Sequence, residues 1–564
     1  MVNDQVWHQH YDKGLKDIDP SLWETDYISL LKNSFRDRAD KPAFYYMGVT
    51  ITFSDLDLYS NKFANMLLSN GISKGDVVGV NLPNIPEFVI ALIGALKAGC
   101  VVTGVSPLLS MDEMEFQLKD CKTKVVVSLD AMFQSKVEKI APNLPDLKIT
   151  VAASVGDFLP GMKRFLGKLL KKIPKGKVSE IPGKKVFKFN EILRGNKFGS
   201  SSPEIKISPD DLAMIMYTGG TTGIPKGAML THRNICSDII LVKKWVNLGN
   251  DGVGLSGFPF FHIAGTFFNL GLLNWGWAQV LIPNPRDTDM ICKEMERHKP
   301  RFLVNVPSLY FLLMDNPKFR ELDHSKLEIC ISSAAPFPEE SMKDLAEIIG
   351  EGKLLEVYGM SETSPLTVAN PLKGLKKLGS IGMPLLNTDV KLISPETGEE
   401  VGPGESGEIC VKGPQVMKGY YNKPGETENV FYENGYMRTG DVAVFDEKGY
   451  LTLVDRVKDM IIVSGFKVFS KKVEEVMAEH PAIEMSAIIG LPNPDKPGSE
   501  IVKQYIMLTS AYRDKGHAEL KSEIIDFAKE KLARYEIPKE LIFRDELPLT
   551  TIGKLDKKLL RKEG

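Results

Sequence analysis

The chain's first two-thirds alternate between two hydrophobic periods, and that alternation restricts the folds open to it. Leu56 to Gly71 carries apolar residues at helical spacing, and Val77 to Asn81 is an apolar run of strand length. Pro86 to Ala98 is helical again, and Lys124 to Ser128 returns to strand. A βαβα rhythm of this kind predicts parallel sheets covered by helices. From about Asn387 the texture changes. Val390–Ile393, Gly407–Val411 and Tyr450–Val454 are short strands parted by Gly, Pro and Asn turns, which predicts a small β-rich module. After Asp455-Arg456-Val457-Lys458-Asp459 a segment of about 105 residues has its own αβ alternation, enough for a separate, mobile domain.

At 564 residues the chain allows three or four compact units. Its hydrophobic fraction of 43% excludes wholesale disorder, collagen and coiled coil. The 71 basic residues are balanced by 73 acidic ones, so there is no global nucleic-acid footprint, and no nucleic-acid partner is expected. Six scattered cysteines, without a CxxC pair, read as free buried thiols of a reducing compartment. The polar N-terminus lacks an apolar signal core. Phe88 to Leu109, the greasiest stretch, is broken by Lys97 and three glycines, and reads as a helix and a buried strand instead of a membrane span. A cytoplasmic protein is expected.

Met162 to Lys177 holds seven basic residues and no acid. Met162, Phe165, Leu166, Leu169, Leu170 and Ile173 form a helical stripe along it. A cationic helix with an apolar face suits an anionic membrane surface, whereas a helix packed on its own domain is the plainer reading.

The densest chemical signal is Met216-Tyr217-Thr218-Gly219-Gly220-Thr221-Thr222-Gly223-Ile224-Pro225-Lys226-Gly227, fed by the apolar run Leu212 to Met216. Its glycines let backbone N–H groups form a nest for phosphate oxygens, threonine hydroxyls add donors, and Lys226 adds a point charge. It is not a Walker loop, because the lysine follows Pro225 and precedes Gly227. A second cluster, Glu356-Val357-Tyr358-Gly359-Met360-Ser361-Glu362, ends a strand at a glycine turn. It offers a ring to stack on a base, a hydroxyl for phosphate and a carboxylate for Mg²⁺. Thr439-Gly440-Asp441 supplies a carboxylate suited to ribose hydroxyls, Arg456 a fork of donors, and Lys554 a lysine in a Thr/Gly loop. Each of these alone is an ordinary strand end or solvated turn.

Together, and in this order, the motifs resemble the adenylate-forming superfamily of acyl-CoA synthetases, aryl-CoA ligases, adenylation domains and luciferases. Ala228-Met229-Leu230-Thr231-His232-Arg233-Asn234 and Lys458 to Phe466 are similar to the bacterial long-chain fatty acyl-CoA synthetase branch. The resemblance implies an α/β fold: a large N-terminal domain of two α/β subdomains plus a small β-barrel-like one (1–455), a hinge (456–458) and a small mobile α+β C-terminal domain (459–564). It implies that Thr218 and Glu362 contact Mg²⁺ and that Gly219 to Gly223 and Lys226 cradle the phosphates. Ala335, Pro336, Glu356 and Tyr358 would line the adenine site, with Gly359 and Ser361 beside them, and Asp441 and Arg456 would hold the ribose. His262 would border the acyl carboxylate, Lys458 would be the hinge, Gly465 would flank the thiol channel and Lys554 would be the adenylation lysine. Gly219 replaces a serine common elsewhere in the superfamily, a change the close branch shares, and Ser361 replaces the usual threonine; the other departures, including Leu549 where a lysine is frequent, fall in the C-terminal part. Ser470-Lys471-Lys472 stands where Pro-x-Glu is usual, and Lys557 where an arginine is usual.

The implied reaction joins a fatty acid to ATP, expels pyrophosphate, and passes the acyl group to coenzyme A. The aromatic and glycine-rich stretch Phe258 to Ala278 would wall an apolar tunnel, or it is plain core. An aryl-CoA ligase and a fatty acyl-AMP ligase are the rival enzymes. A membrane-peripheral protein that only binds nucleotide is the non-catalytic rival. A homodimer is the assembly to be tested.

Overall fold

The computed structural model describes residues 6–170, 173–174, 176–218, 225–335, 337–463, 466–494, 496, 499–513, 515–550 and 555–563. Two large sheets dominate. The first runs Gly419–Tyr420, Lys226–Thr231, Leu212–Thr218, Val101–Gly104, Val77–Asn81, Val125–Leu129, Ile149–Ala153, Lys185–Lys188. Its pairs are parallel from Leu212–Thr218 onward, and antiparallel on the side of Lys226–Thr231. The second has nine strands, ordered Met383–Pro384, Leu366–Ala369, Leu354–Gly359, Ile329–Ser332, Phe302–Asn305, Val253–Ser256, Ala278–Val280, Pro42–Tyr46, Val49–Thr52, with a parallel centre.

Local chemistry sets the helices that cover them. Thr52 caps Phe53–Ser69 in a capping box with Asp55, and Thr231 does the same for His232–Val246 with Asn234. Pro86 opens the helix Pro86–Lys97, where its missing N–H is not needed. Every residue of that helix is buried, Lys97 included. Its ammonium meets the Asp57 carboxylate at 2.5 Å, the Ser60 hydroxyl at 2.9 Å and the Asn61 side chain at 2.6 Å. The lysine that interrupts the greasy stretch is therefore satisfied inside the core.

The β-rich module is a four-stranded antiparallel sheet: Asp389–Ile393, Ser406–Lys412, Met437–Phe445, Leu451–Arg456. Beyond it lie a hairpin (Ile461–Val463, Phe466–Val468) and a three-stranded sheet (Ile483–Pro492, Glu500–Leu508, Glu540–Arg544), with the helices Ser470–Ala478, His517–Lys531 and Lys557–Glu563. This C-terminal part has its own apolar cluster, built on Ile461, Val468, Val473, Met477, Ile488 and Ile506. All six cysteines are buried and free. Among the described residues no helix is long and apolar enough to cross a membrane.

The basic amphipathic segment is shorter than the sequence stripe suggests, with a helix at Gly161–Leu169. Ile173 leaves the stripe: its N–H donates to the Gly167 carbonyl, and its side chain is buried against Gly167 and Gly156. Arg164 is tied to Asp157 at 3.2 Å. The other five apolar members face solvent, Met162 at 77% exposure and Phe165 at 66%.

Candidate active site

In open α/β sheets, ligands bind beyond the carboxyl ends of the parallel strands. Here the carboxyl ends of both large sheets meet. Asn84, just after Val77–Asn81, donates to the Phe258 carbonyl at 2.8 Å and accepts from the Phe260 N–H at 2.7 Å. Gly104 closes its strand directly against the Phe261 carbonyl, where any Cβ would collide with backbone. Phe258 to Phe261 belong to the second sheet's loop, so the crevice between the sheets is fixed by the Asn84 side chain and by close backbone packing at Gly104.

Most of the sequence-derived candidates that the structure describes border this crevice. Thr218 ends its strand with its hydroxyl 3.4 Å from the Lys226 carbonyl oxygen. Glu356 to Gly359 end the strand Leu354–Gly359. A Cβ on Gly359 would collide with the Pro365 carbonyl, so only glycine lets the chain double back there. The following turn, Ser361–Thr363, packs against the strands that carry Thr218 and Lys226. Glu362 is buried at its centre and accepts the Tyr420 hydroxyl at 2.8 Å. Burial pushes its carboxyl above the usual range, against the lowering effect of the Tyr420 bond.

Asp441 joins two other candidates. It accepts the Tyr358 hydroxyl at 2.7 Å on one oxygen, while the Arg456 Nε lies 2.8 Å from the other. The register pairs Asp441 with Arg456 on adjacent antiparallel strands, so the constellation is built into the ladder. Lys458 lies beyond the strand end, and burial together with the nearby Arg456 charge pushes its amine down to about 8. Glu356 is brought close to the C-terminal part. It accepts the Gly379 N–H at 3.0 Å, and burial raises it to about 7 against the pull of Lys471. Ala335 follows the strand Ile329–Ser332 at the same edge. His262 caps the helix Ile263–Trp275, its Nδ1 accepting the Ala264 N–H at 3.3 Å, and its ring stacks on Phe258. Gly219 to Gly223, Pro336, Gly465 and Lys554 lie outside the described residues.

Several supporting residues carried little or no sequence signal. Glu408 is buried, pairs with Arg438 at 2.8 Å and accepts the Gly440 N–H at 3.0 Å, so Thr439-Gly440-Asp441, which reads as a turn in the sequence, is instead an irregularity within the strand Met437–Phe445. Asn234 donates to the Pro414 and Val416 carbonyls, each at 2.8 Å, and Asp238 accepts the Leu366 N–H at 2.9 Å. One helix thus braces both loops around Glu362. The motif Thr231 to Asn234 hinted at the first of these; Asp238 and Glu408 needed the tertiary structure.

The donor set fits a hard divalent cation beside phosphates. Such an ion takes oxygen ligands, commonly from one or two carboxylates with substrate phosphates, and Glu362 and Thr218 offer a buried carboxylate and a hydroxyl.

The fold is that of the adenylate-forming enzymes. ATP-bound MatB from Rhodopseudomonas palustris superposes with a TM-score of 0.81 at 27% identity, over 96% of this chain and 99% of that one. An anthranilate CoA ligase, AuaEII, gives 0.84 at 24% identity over 97% and 99%, a likeness of fold alone. The model of the AMP-binding enzyme matches residues 31–421, that of the AMP-binding enzyme C-terminal domain matches 472–554, and the chain belongs to this family. It is 37% identical to a long-chain-fatty-acid–CoA ligase of Bacillus subtilis (strain 168), over 100% of this chain and 99% of the relative. To a ligase of the same description from Escherichia coli O157:H7 it is 34% identical, over 99% and 98%. A feruloyl-CoA synthase of Amycolatopsis sp is 31% identical, over 91% and 94%.

Proposed function

We propose that this chain is an AMP-forming acid–thiol ligase that converts a medium- or long-chain fatty acid to its acyl-CoA. The fatty acid carboxylate attacks the α-phosphorus of ATP, giving acyl adenylate and pyrophosphate. The thiol of coenzyme A then attacks the acyl carbon, giving thioester and AMP. The observation that carries this reading is the union of the buried Asp441 and Tyr358 with the half-buried Arg456, beside Glu362, at the shared carboxyl edge of two α/β sheets.

The first step brings two anions together, so it needs fixed positive charge and donors where charge develops. Lys226 and the amides of 219–223 would bind the phosphates. Asp441 and Arg456 would hold the ribose, and Ala335, Pro336, Glu356, Tyr358, Gly359 and Ser361 would surround the adenine and the α-phosphate. Glu362 and Thr218 would hold Mg²⁺, which neutralises phosphate charge when bound. His262, fixed as a helix cap, would border the incoming carboxylate, and Lys554 would supply the cation for adenylation. Residues 1–455 and 459–564 act as two domains, with Lys458 as the pivot and Gly465 beside the thiol path.

Pyrophosphate release, measured across alkyl and aryl acids with and without coenzyme A, tests the reading. Release that depends on long-chain alkyl acids, with thioester formed on adding coenzyme A, is expected. Preference for an aryl acid, or adenylate that never passes to coenzyme A, selects a rival enzyme. Homodimeric assembly is tested by light scattering.

The helix Gly161–Leu169 supports a peripheral membrane contact. Five exposed apolar residues lie on a segment with no acid, and its lysines complement an anionic surface. The protein is expected to sediment with vesicles containing phosphatidylserine and not with neutral ones. Reversing the charge of Lys163, Lys168, Lys171 and Lys172 is expected to abolish that binding, and undiminished binding would remove the membrane contact from the proposal.

A further inference from the structure

Tyr420 stands where the two anion-handling strips of the crevice meet, outside every motif singled out in the sequence. Its hydroxyl donates to Glu362 at 2.8 Å. Its ring lies under the Lys226 ammonium, 5.1 Å from the nitrogen to the centroid. The far side of that ammonium is held by an ion pair with Glu426. The four groups form one chain, from Glu426 through Lys226 and the ring to Glu362.

The backbone fixes this arrangement. Tyr420 is paired with Ala228 on the strand that begins at Lys226, and the Tyr421 N–H donates to the Gly227 carbonyl at 2.8 Å. The Tyr420 N–H donates to the Thr427 hydroxyl at 2.9 Å, which locks the start of the helix Pro424–Val430 beneath it. On the other flank the Met417 N–H donates to the Glu362 carbonyl at 2.8 Å. The side chain is buried.

We propose that Tyr420 is a positioning residue that couples the metal-holding carboxylate to the phosphate-binding lysine. The hydroxyl aims one oxygen of Glu362, and the ring holds the Lys226 ammonium in place by a cation–π contact. A charge-assisted donor to a buried carboxylate fixes the orientation of the oxygen it bonds. The inference rests on the assignment of Glu362 and Lys226 given above.

The test is calorimetric binding of ATP to the full chain, with and without Mg²⁺, so that no turnover is required. The wild type should bind ATP more tightly with Mg²⁺, and Glu362→Gln should lose that gain. Tyr420→Phe should bind metal-free ATP as the wild type does and lose about tenfold of the Mg²⁺-dependent gain. Tyr420→Leu should in addition weaken metal-free ATP several-fold, because Lys226 loses its platform. A Tyr420→Phe protein with the full Mg²⁺ gain overturns the proposal, and so does one that loses both affinities equally, the mark of a merely structural role. If Glu362→Gln keeps the gain, the metal assignment is wrong and the proposal falls with it; that outcome is told apart by the Glu362 arm alone.

Discussion

Lys226 enters the structure already engaged, its ammonium paired with Glu426. The same contact holds the Glu426 carboxyl below its usual range. On the proposed role of Lys226, phosphate displaces that carboxylate to reach the lysine. The pair is solvent-exposed on the Glu426 side, so its worth is modest. Glu426→Gln is therefore expected to lower the KM for ATP by about two- to fivefold with kcat little changed, as read from initial rates at saturating fatty acid. An unchanged or raised KM would mean that Glu426 does not compete for the site. Glu426 and Tyr420 illustrate what the sequence hides. Glycines, threonines and the lysine announce themselves by their clustering between 216 and 227. A tyrosine 194 residues beyond Lys226 reaches that lysine only because Gly419–Tyr420 adds a short antiparallel strand to the sheet edge.

Among the elements, the helix His232–Val246 does the most bracing. At its first position His232 is buried, and its Nδ1 accepts the Tyr27 N–H at 3.2 Å, capping the helix Tyr27–Asp37 from across the core. Burial depresses the imidazole to about 4, with Asp26 and Asp211 pulling it upward and Lys74 downward. The folded protein therefore keeps this ring neutral, while the unfolded chain protonates it near 6.5. The associated stability is present above pH 6.5 and is lost as pH falls from 6.5 toward 4, up to about 3 kcal/mol. His232→Asn, which retains an acceptor near the same place, is expected to show a smaller fall in Tm between pH 6.5 and 4.5 than the wild type, by thermal unfolding. Equal falls would assign the acid sensitivity to other groups.

Elements of this kind were legible wherever a local rule decides them. Val77–Asn81 matches the apolar run residue for residue, and Pro86 marks the helix start. The stripe at 162–177 misleads at Ile173 because periodicity does not register a turn. There the chain folds back, and a residue patterned for one face is buried against Gly167. His262 was noticed for its motif; its role as a helix cap needed the fold.

At the scale of the molecule, Asp455 and Ser470 bridge the two proposed domains, and Ser470 and Lys557 are positions where the sequence reading expects other residues. Asp455 accepts both the N–H and, at 3.1 Å, the hydroxyl of Ser470. That hydroxyl also accepts from Lys557 at 2.8 Å, and Lys557 meets Glu474 at 2.7 Å. Arg561 reaches Asp459 at 2.7 Å. The serine and the lysine are thus partners. Ser470→Ala removes the hydroxyl that links Asp455 to Lys557. The ratio of the single-turnover rates of adenylation and thioester formation is expected to shift at least threefold, at the expense of the half-reaction this arrangement serves. Rapid-quench measurement of each step would show it, and an unaltered ratio would mean that this contact does not set the domain orientation.

Asp455 and Arg456 are consecutive residues on one strand, the first bonded to the C-terminal part and the second to Asp441. If Asp441 and Arg456 hold a sugar as proposed, whatever loads that end of the strand tugs on the anchorage next to it. A filled pocket and a swivelled tail would then be felt by each other through a single peptide link, with no relay of intervening side chains.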